Sequence, residues 1–287
     1  MRTALPPWGF DPSLQRWVDR GAAAAAAPRA AVTLATFNVW FEEHEFDARG
    51  AAMLGLLRTS GADVIALQEV TAPFLERMLR EDWVRREFTV SDATASTIPD
   101  YGVILLSRLP VRAFEVHDLP TTMSRTLLVA RVATGSRDLT VGGVHLESIP
   151  EFAPYREAQL REIFRILEPA ENAVLMGDFN FCSTWEENAN LDDRYADLWP
   201  LLHPDDPGWT VDGESNAMRR ALGKSAKRVR FDRILARSAG GALKLRSIGL
   251  LGTEPISPDR PDLLPSDHFG LAATLEIGGP PEPAALA

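Results

Sequence analysis

Residues 174–180 read Val-Leu-Met-Gly-Asp-Phe-Asn, and the rest of the chain is best understood outward from them. An apolar run, 173–176, has strand length and stops at Gly177. Glycine at that point lets backbone approach a ligand closely. Asp178 and Asn180 follow at i and i+2, so extended backbone projects both to one side. In open α/β sheets ligands gather at the carboxyl ends of strands. The stretch reads as a buried strand delivering a carboxylate and an amide to a site, with an Asx-turn as the plainer alternative.

The same signature recurs on both sides. Short apolar runs at 32–36, 64–67, 103–106, 127–132, 139–144, 229–235 and 271–275 have strand length, several bounded by Gly, Pro or Asp. Residues 47–59, 73–80 and 154–167 read as amphipathic helices, two of them opening on a proline. The pattern predicts one mixed α/β or α+β domain over 31–277 and leaves the sheet order open. Residues 1–30, with Pro6, Pro7, Pro12 and an alanine-rich stretch ending in Pro28, read as an extension and linker with a short helix near 14–20. The proline-rich tail 278–287 reads as disordered.

The 287 residues are 45% hydrophobic and 24% charged, enough apolar material for a core. With 30 basic and 40 acidic residues the formal net charge is −10. That argues against wrapping of duplex DNA through its phosphates and leaves room for a local basic groove over an acidic centre. Lys224, Lys227, Arg228, Arg230 and Arg233 make one such patch, or a solvated loop. Cys182 stands alone, so no intramolecular disulfide is possible. The alanine run 22–27 is too short and too weakly apolar to span a bilayer, and the expectation is a cytoplasmic, monomeric protein.

Five further places carry polar residues at strand ends. Asn38 closes the first run and otherwise reads as a turn residue. Glu69 is a carboxylate in a buried-strand pattern, so it has either a metal or an Arg/Lys partner. His145 ends 139–144, and alone reads more often as a satisfied structural histidine. Asp232 sits between Arg230 and Arg233, where a simple ion pair is the alternative. Asp267 and His268 are adjacent and therefore serve separate partners; Asp232 is suited to reach His268, fix its tautomer and raise its basicity. A structural account must explain each place separately, whereas a shared site explains them together.

Taken in order, TFNVW (36–40), LQEV (67–70), HLES (145–148), GDFN (177–180), FDRI (231–234) and SDHFGL (266–271) resemble the endonuclease/exonuclease/phosphatase superfamily. Met123-Ser124-Arg125, Gly208-Trp209-Thr210, Asp212 and Asn216 are similar to its tyrosyl-DNA phosphodiesterase branch. The NVWF form of the first motif, with Trp40 where animal members carry an acidic residue, is similar to plant members. Phe181 and Cys182 also depart from the animal form, which has an arginine nearby.

The resemblance implies a four-layer sandwich, two packed mixed β-sheets flanked by helices. It implies Mg²⁺, with Mn²⁺ as a substitute, held by Glu69 and Asp267. It implies catalytic roles for Asn38, His145, Asp178, Asn180, Asp232 and His268, and substrate contacts at Arg125, Ser148, Trp209, Asn216 and Arg233. Trp209 would stack on a base or serve as a core residue. The activity it implies is hydrolysis at single-stranded or frayed DNA 5′ ends, most specifically of a 5′-phosphotyrosyl adduct. The alternatives are an abasic-site nuclease, an inositol or sphingolipid phosphatase, and a binding module that keeps the fold without catalysis.

Overall fold

The structure is a computed structural model that describes residues 1–24, 26–135 and 137–278. Among these residues two large mixed sheets, of seven and eight strands, lie face to face. Alternation along the apolar runs decides the layering. Val32 and Leu34, Val64 and Ala66, Val103 and Leu105, and Val174 and Met176 all point into the core between the sheets. Ile65, Leu67, Ile104 and Leu106 point the other way, onto Met53, Leu54 and Leu57 of the helix Phe46–Thr59 and Phe74, Leu75 and Met78 of the helix Ala72–Arg80. On the far side Leu127, Val129, Ala173 and Leu175 pack on Leu160, Ile163, Phe164 and Leu167 of the helix Ala153–Leu167. Strands buried on both faces must be apolar at every position, which is why the runs in the sequence are nearly continuous.

Two parallel pairs place the polar strand ends. Strand Ala31–Asn38 runs parallel to Val64–Val70, with the helix Phe46–Thr59 as crossover, and the register sets Asn38 opposite Gln68. Strand Asp138–His145 runs parallel to Asn172–Asp178, with Ala153–Leu167 as crossover, and sets His145 opposite Asp178. The antiparallel strand Asp232–Ser238 then brings Asp232 beside Asp178. A parallel pair needs such a crossover, and its two strands finish at the same end of the sheet. Gly177 is required for a reason other than ligand approach. Its φ is +143°, and a Cβ there would sit 2.0 Å from the Val144 carbonyl oxygen of the neighbouring strand.

Residues 2–19 correct the expectation of a separate extension. Arg2–Leu5 pairs antiparallel with Val111–Asp118 at the edge of the seven-stranded sheet. Trp8–Asp11 and Arg16–Asp19 form a hairpin on the edge of the eight-stranded sheet. The helix expected near 14–20 is absent: Asp11 accepts from the Ser13 and Leu14 amides at 2.9 and 3.1 Å, closing a turn, and Phe10 meets Trp17 edge to face at 5.8 Å. Short alternating strands of this kind gain their stability from the edge they join, so isolated sequence gives little sign of them. The run 229–235 is split, because Arg228–Val229 pairs with Val211–Asp212 and the chain restarts at Asp232. Strands Val111–Asp118 and Leu243–Leu251 were not anticipated. Of the tail expected to be disordered, residues 279–287 lie outside the described residues, and the Gly278 amide donates to the Ala242 carbonyl at 2.7 Å.

Candidate active site

The converging strand ends build one buried polar centre. Asn38 bridges the sheets: its Nδ2 donates to Glu69 Oε1 at 3.0 Å and to Asp178 Oδ2 at 3.1 Å, and its Oδ1 accepts from the Trp40 amide at 3.0 Å. Glu69 is aimed inward by an irregularity in its strand between Leu67 and Val70, with φ +58°. Bulges re-aim side chains in this way next to sites. Trp40 and Asn180 also hold positive φ, +58° and +55°, so three non-glycine residues in left-handed backbone surround the same spot. Such strain persists only where surrounding structure enforces it. Asp178 Oδ1 accepts from the Asn180 amide at 2.8 Å, and Asn180 Nδ2 reaches the Leu146 carbonyl at 3.0 Å and Ser148 Oγ at 3.3 Å.

Two imidazoles flank this centre in opposite protonation states. His145 Nε2 lies 3.6 Å from Asp178 and 3.8 Å from Glu69. Its Nδ1 faces Arg125 Nη1 at 3.0 Å. A guanidinium can only donate, so Nδ1 must accept and the ring proton sits on Nε2. Burial, then the Arg125 charge, hold the His145 pKa well below the ordinary imidazole value, so the ring is neutral. Arg125 Nη2 also donates to Ser148 Oγ at 2.9 Å. His268 Nδ1 lies 2.9 Å from Asp232 Oδ2, so Nδ1–H donates to that carboxylate. Burial opposes its charge, but Asp232, Asp178 and Asp267 outweigh it and raise the pKa to about 10.

The carboxylates respond in kind. Burial raises Asp178 to about 6, with Asp232 and Glu69 pushing the same way and His268 opposing. Burial and then Asp267 raise Glu69. Asp267 is itself held below the usual range against its burial by His268, Lys224 and Arg219. A cleft of about 320 Å³ opens here, lined by Glu69, Asp178, Asn180, Asp267 and His268 together with Arg219, Lys224 and Lys227.

A divalent cation suits the donors. Ligand atoms of Glu69, His145 and Asp178 lie within 4.8 Å of one another, as do those of Asp178, Asp232 and His268. The proton on His145 Nε2 and the cationic state of His268 leave carboxylate oxygens as the free donors. Oxygen donors with room for water match a hard ion such as Mg²⁺. The raised Glu69 pKa marks an excess of negative charge that such an ion would offset.

Asp267, expected on the metal, lines the cleft and accepts through Oδ2 from Arg219 Nη1 at 2.7 Å and from Lys224 Nζ at 3.0 Å. Other expected residues sit elsewhere. Asn216 has both amide ends in use: Oδ1 accepts from the Arg219 amide at 3.1 Å, capping the helix Ala217–Ala221, and Nδ2 donates to the Ser266 carbonyl at 3.0 Å. Asn216 thus supports the Ser266–His268 segment rather than touching substrate. Arg233 is also corrected as a substrate contact. Strand alternation turns it opposite to Asp232, fully buried, donating to Asn188 Oδ1 at 2.7 Å and lying over Phe181 at 4.8 Å. Trp209 packs against Cys182, Val211, Val229 and Phe231 and does not line the cleft. Arg125 and Ser148 do lie beside His145 and Asn180.

Other side chains of the site were given no role from the sequence, although Thr210 and Ser266 stand within its quoted motifs. Thr210 Oγ1 accepts from the Phe231 and Asp232 amides at 3.1 and 3.0 Å, fixing the start of the Asp232 strand. Ser266 Oγ donates to the Asn38 carbonyl at 2.7 Å and ties the segment before the last strand to the end of the Asn38 strand. Tyr101 stacks flat on Phe41 at 4.9 Å and lies 6.0 Å from His145. Isolated Thr, Ser and Tyr residues are common in loops, and only the fold brings these to the centre.

Known proteins place this geometry. The chain is 29% identical to tyrosyl-DNA phosphodiesterase 2 of Xenopus laevis over 258 residues, covering 84% of this chain and 66% of that protein. It is 29% identical to tyrosyl-DNA phosphodiesterase 2 of Homo sapiens over 257 residues, covering 85% of this chain and 68% of that one. The chain thus spans about two thirds of the length of these relatives. A crystal structure of D. rerio TDP2 complexed with single-strand DNA product superposes with a TM-score of 0.74 at 26% identity, covering 86% of this chain and all of that one. No described helix is long and apolar enough to cross a membrane. The profile of the endonuclease/exonuclease/phosphatase family matches residues 35–268, which include Asn38, Glu69, His145, Asp178, Asp232 and His268, and the chain belongs to that family.

Proposed function

We propose that this chain is a divalent-metal-dependent phosphodiesterase that hydrolyses a phosphoester at a DNA end, with a 5′-phosphotyrosyl adduct on single-stranded or frayed DNA as its substrate. The observation that carries it is the pair of buried imidazoles flanking Asp178, one with Nδ1 against the Arg125 guanidinium and one with Nδ1 against the Asp232 carboxylate. Two donors of this kind suit a phosphoryl group that gains negative charge as it reacts. Support for a DNA end comes from the relatives named tyrosyl-DNA phosphodiesterase 2 and from the neighbour complexed with single-strand DNA product.

In this reading Asp178 orients the attacking water and takes its proton; a pKa near 6 lets it act as a base at neutral pH. Asn38 and Asn180 hold Asp178 and the water in line. His145 donates from Nε2 and His268 from its free Nε2–H to the phosphoryl oxygens, and Asp232 keeps His268 oriented and charged. Glu69 would hold Mg²⁺, or Mn²⁺ in its place, which when bound would supply neutralisation of a phosphoryl and the leaving oxygen. Arg125 and Ser148 orient the His145 side of the site.

The test is hydrolysis of a single-stranded oligonucleotide carrying a 5′-phosphotyrosine, with Mg²⁺, with chelator, and with Asp178→Asn. Metal-dependent release of a 5′-phosphate end, reduced at least about 10²-fold in the variant, is the expected result. No release from folded, metal-supplied protein would reject the tyrosyl-DNA substrate and direct the search to abasic DNA and phosphorylated lipid head groups.

A further inference from the structure

The chain has 27 arginines and only three lysines, Lys224, Lys227 and Lys244, and the first two lie on one loop beside the cleft. That loop, 222–227, is held firmly. Lys224 Nζ pairs with Asp267 at 3.0 Å and sits 4.0 Å from the centre of the Trp40 ring, which the Arg49 guanidinium also approaches, at 4.4 Å. The Lys224 amide donates to the Arg219 carbonyl at 2.9 Å, and the Gly213 amide donates to the Lys227 carbonyl at 3.0 Å. Backbone passes so close at Gly213 that a Cβ there would lie 2.4 Å from Ala226 Cα.

Lys227 differs from its neighbour. Its Nζ lies 4.6 Å from the centre of the Phe231 ring, and it lines the cleft with Ser225. Among the described residues no carboxylate lies within ion-pair distance of it. The side chain is exposed at the rim of the cleft, whose lining also carries Arg219, Lys224, Asp178 and Asp267. Arginine elsewhere in the chain is used for forked, structural bonding to carboxylates and carbonyls, as at Arg49, Arg156 and Arg237. A lysine supplies instead a compact charge on a flexible stem, suited to a phosphate oxygen.

We infer that Lys227 is the cleft's contact to a phosphate group of the bound nucleic acid, with Lys224 and the Trp40 ring acting to position its loop. The inference rests on the DNA-end reading above and gives that substrate a specific anchor on this chain. The anchor is one charge wide, which fits an acidic protein holding a strand end rather than a long duplex.

The experiment is fluorescence anisotropy of a 5′-phosphorylated single-stranded oligonucleotide, with Mg²⁺ present, across a salt series. Each phosphate contact on a single strand contributes roughly 0.7 to the slope of log K against log salt. Lys227→Gln is expected to weaken binding and flatten the slope by about that amount, Lys227→Arg to restore the slope, and Lys244→Gln, outside the cleft, to change neither. An unchanged slope in Lys227→Gln, or an equal change in Lys244→Gln, overturns the inference while leaving the function standing. Absence of binding by the unaltered protein also overturns the inference, and the hydrolysis test above decides the function.

Discussion

His145 and His268 are both buried, both within 4 Å of Asp178, and opposite in charge. The difference comes from what touches Nδ1. At His145 it is the Arg125 guanidinium, which donates and so forbids a second proton; at His268 it is the Asp232 carboxylate, which accepts and so retains one. Burial alone would have made both neutral, since it opposes the charged form in each case. One residue of each charge type is enough to divide two like groups into a neutral donor and a cationic donor. This is the same logic by which paired groups in one site acquire separate roles.

The largest test of that contrast is deletion. His268→Ala and His145→Ala are each expected to lower kcat by about 10²–10³, with the His268 loss the greater because charged donors bond more strongly than neutral ones. Steady-state kinetics on the phosphotyrosyl oligonucleotide would break the comparison by returning equal losses or the reverse order.

A smaller effect is expected from Asp232→Asn, which keeps the imidazole and removes its counter-charge. Partners that orient a functional histidine typically matter by about 10–100-fold. Histidine-ring NMR of the metal-free protein should show the His268 pKa falling from about 10 to below the ordinary 6.5. A ring that stays protonated at neutral pH in this variant would show that Asp178 and Asp267 suffice.

The smallest effect is on stability, and it has opposite signs at the two rings. The His268 pKa is raised on folding, so its contribution is complete below about 6.5 and is lost as pH climbs toward about 10. The His145 pKa is depressed on folding, so its contribution is present above about 6.5 and is lost as pH falls below it. In chelator, the Tm difference between unaltered protein and His268→Gln should shrink toward alkaline pH, and that for His145→Gln should shrink toward acid. Two flat differences would remove the assigned charge states.

The sequence by itself determined the strand ends. Asn38, Glu69, His145, Asp178 and His268 each follow or precede an apolar run, and a strand buried on both faces has to be apolar until it emerges. The helices 46–59, 72–80 and 153–167 were legible because their apolar positions recur with helical period against one sheet face. What only the tertiary structure decided is which residue faces which. Arg233 and Asp232 are neighbours in sequence, yet pleating sends one under Phe181 and the other to His268. That Asp267 gives its Oδ2 to Arg219 and Lys224, more than forty residues away, could not be read along the chain. Residues 2–19 looked like an extension because edge strands draw their stability from a partner strand about a hundred residues distant, as Arg2–Leu5 does from Val111–Asp118. Apolar period is a local property of the chain and can be read along it. Charge pairing, tautomer and register depend on contacts between distant segments, and these exist only once the sheets have closed.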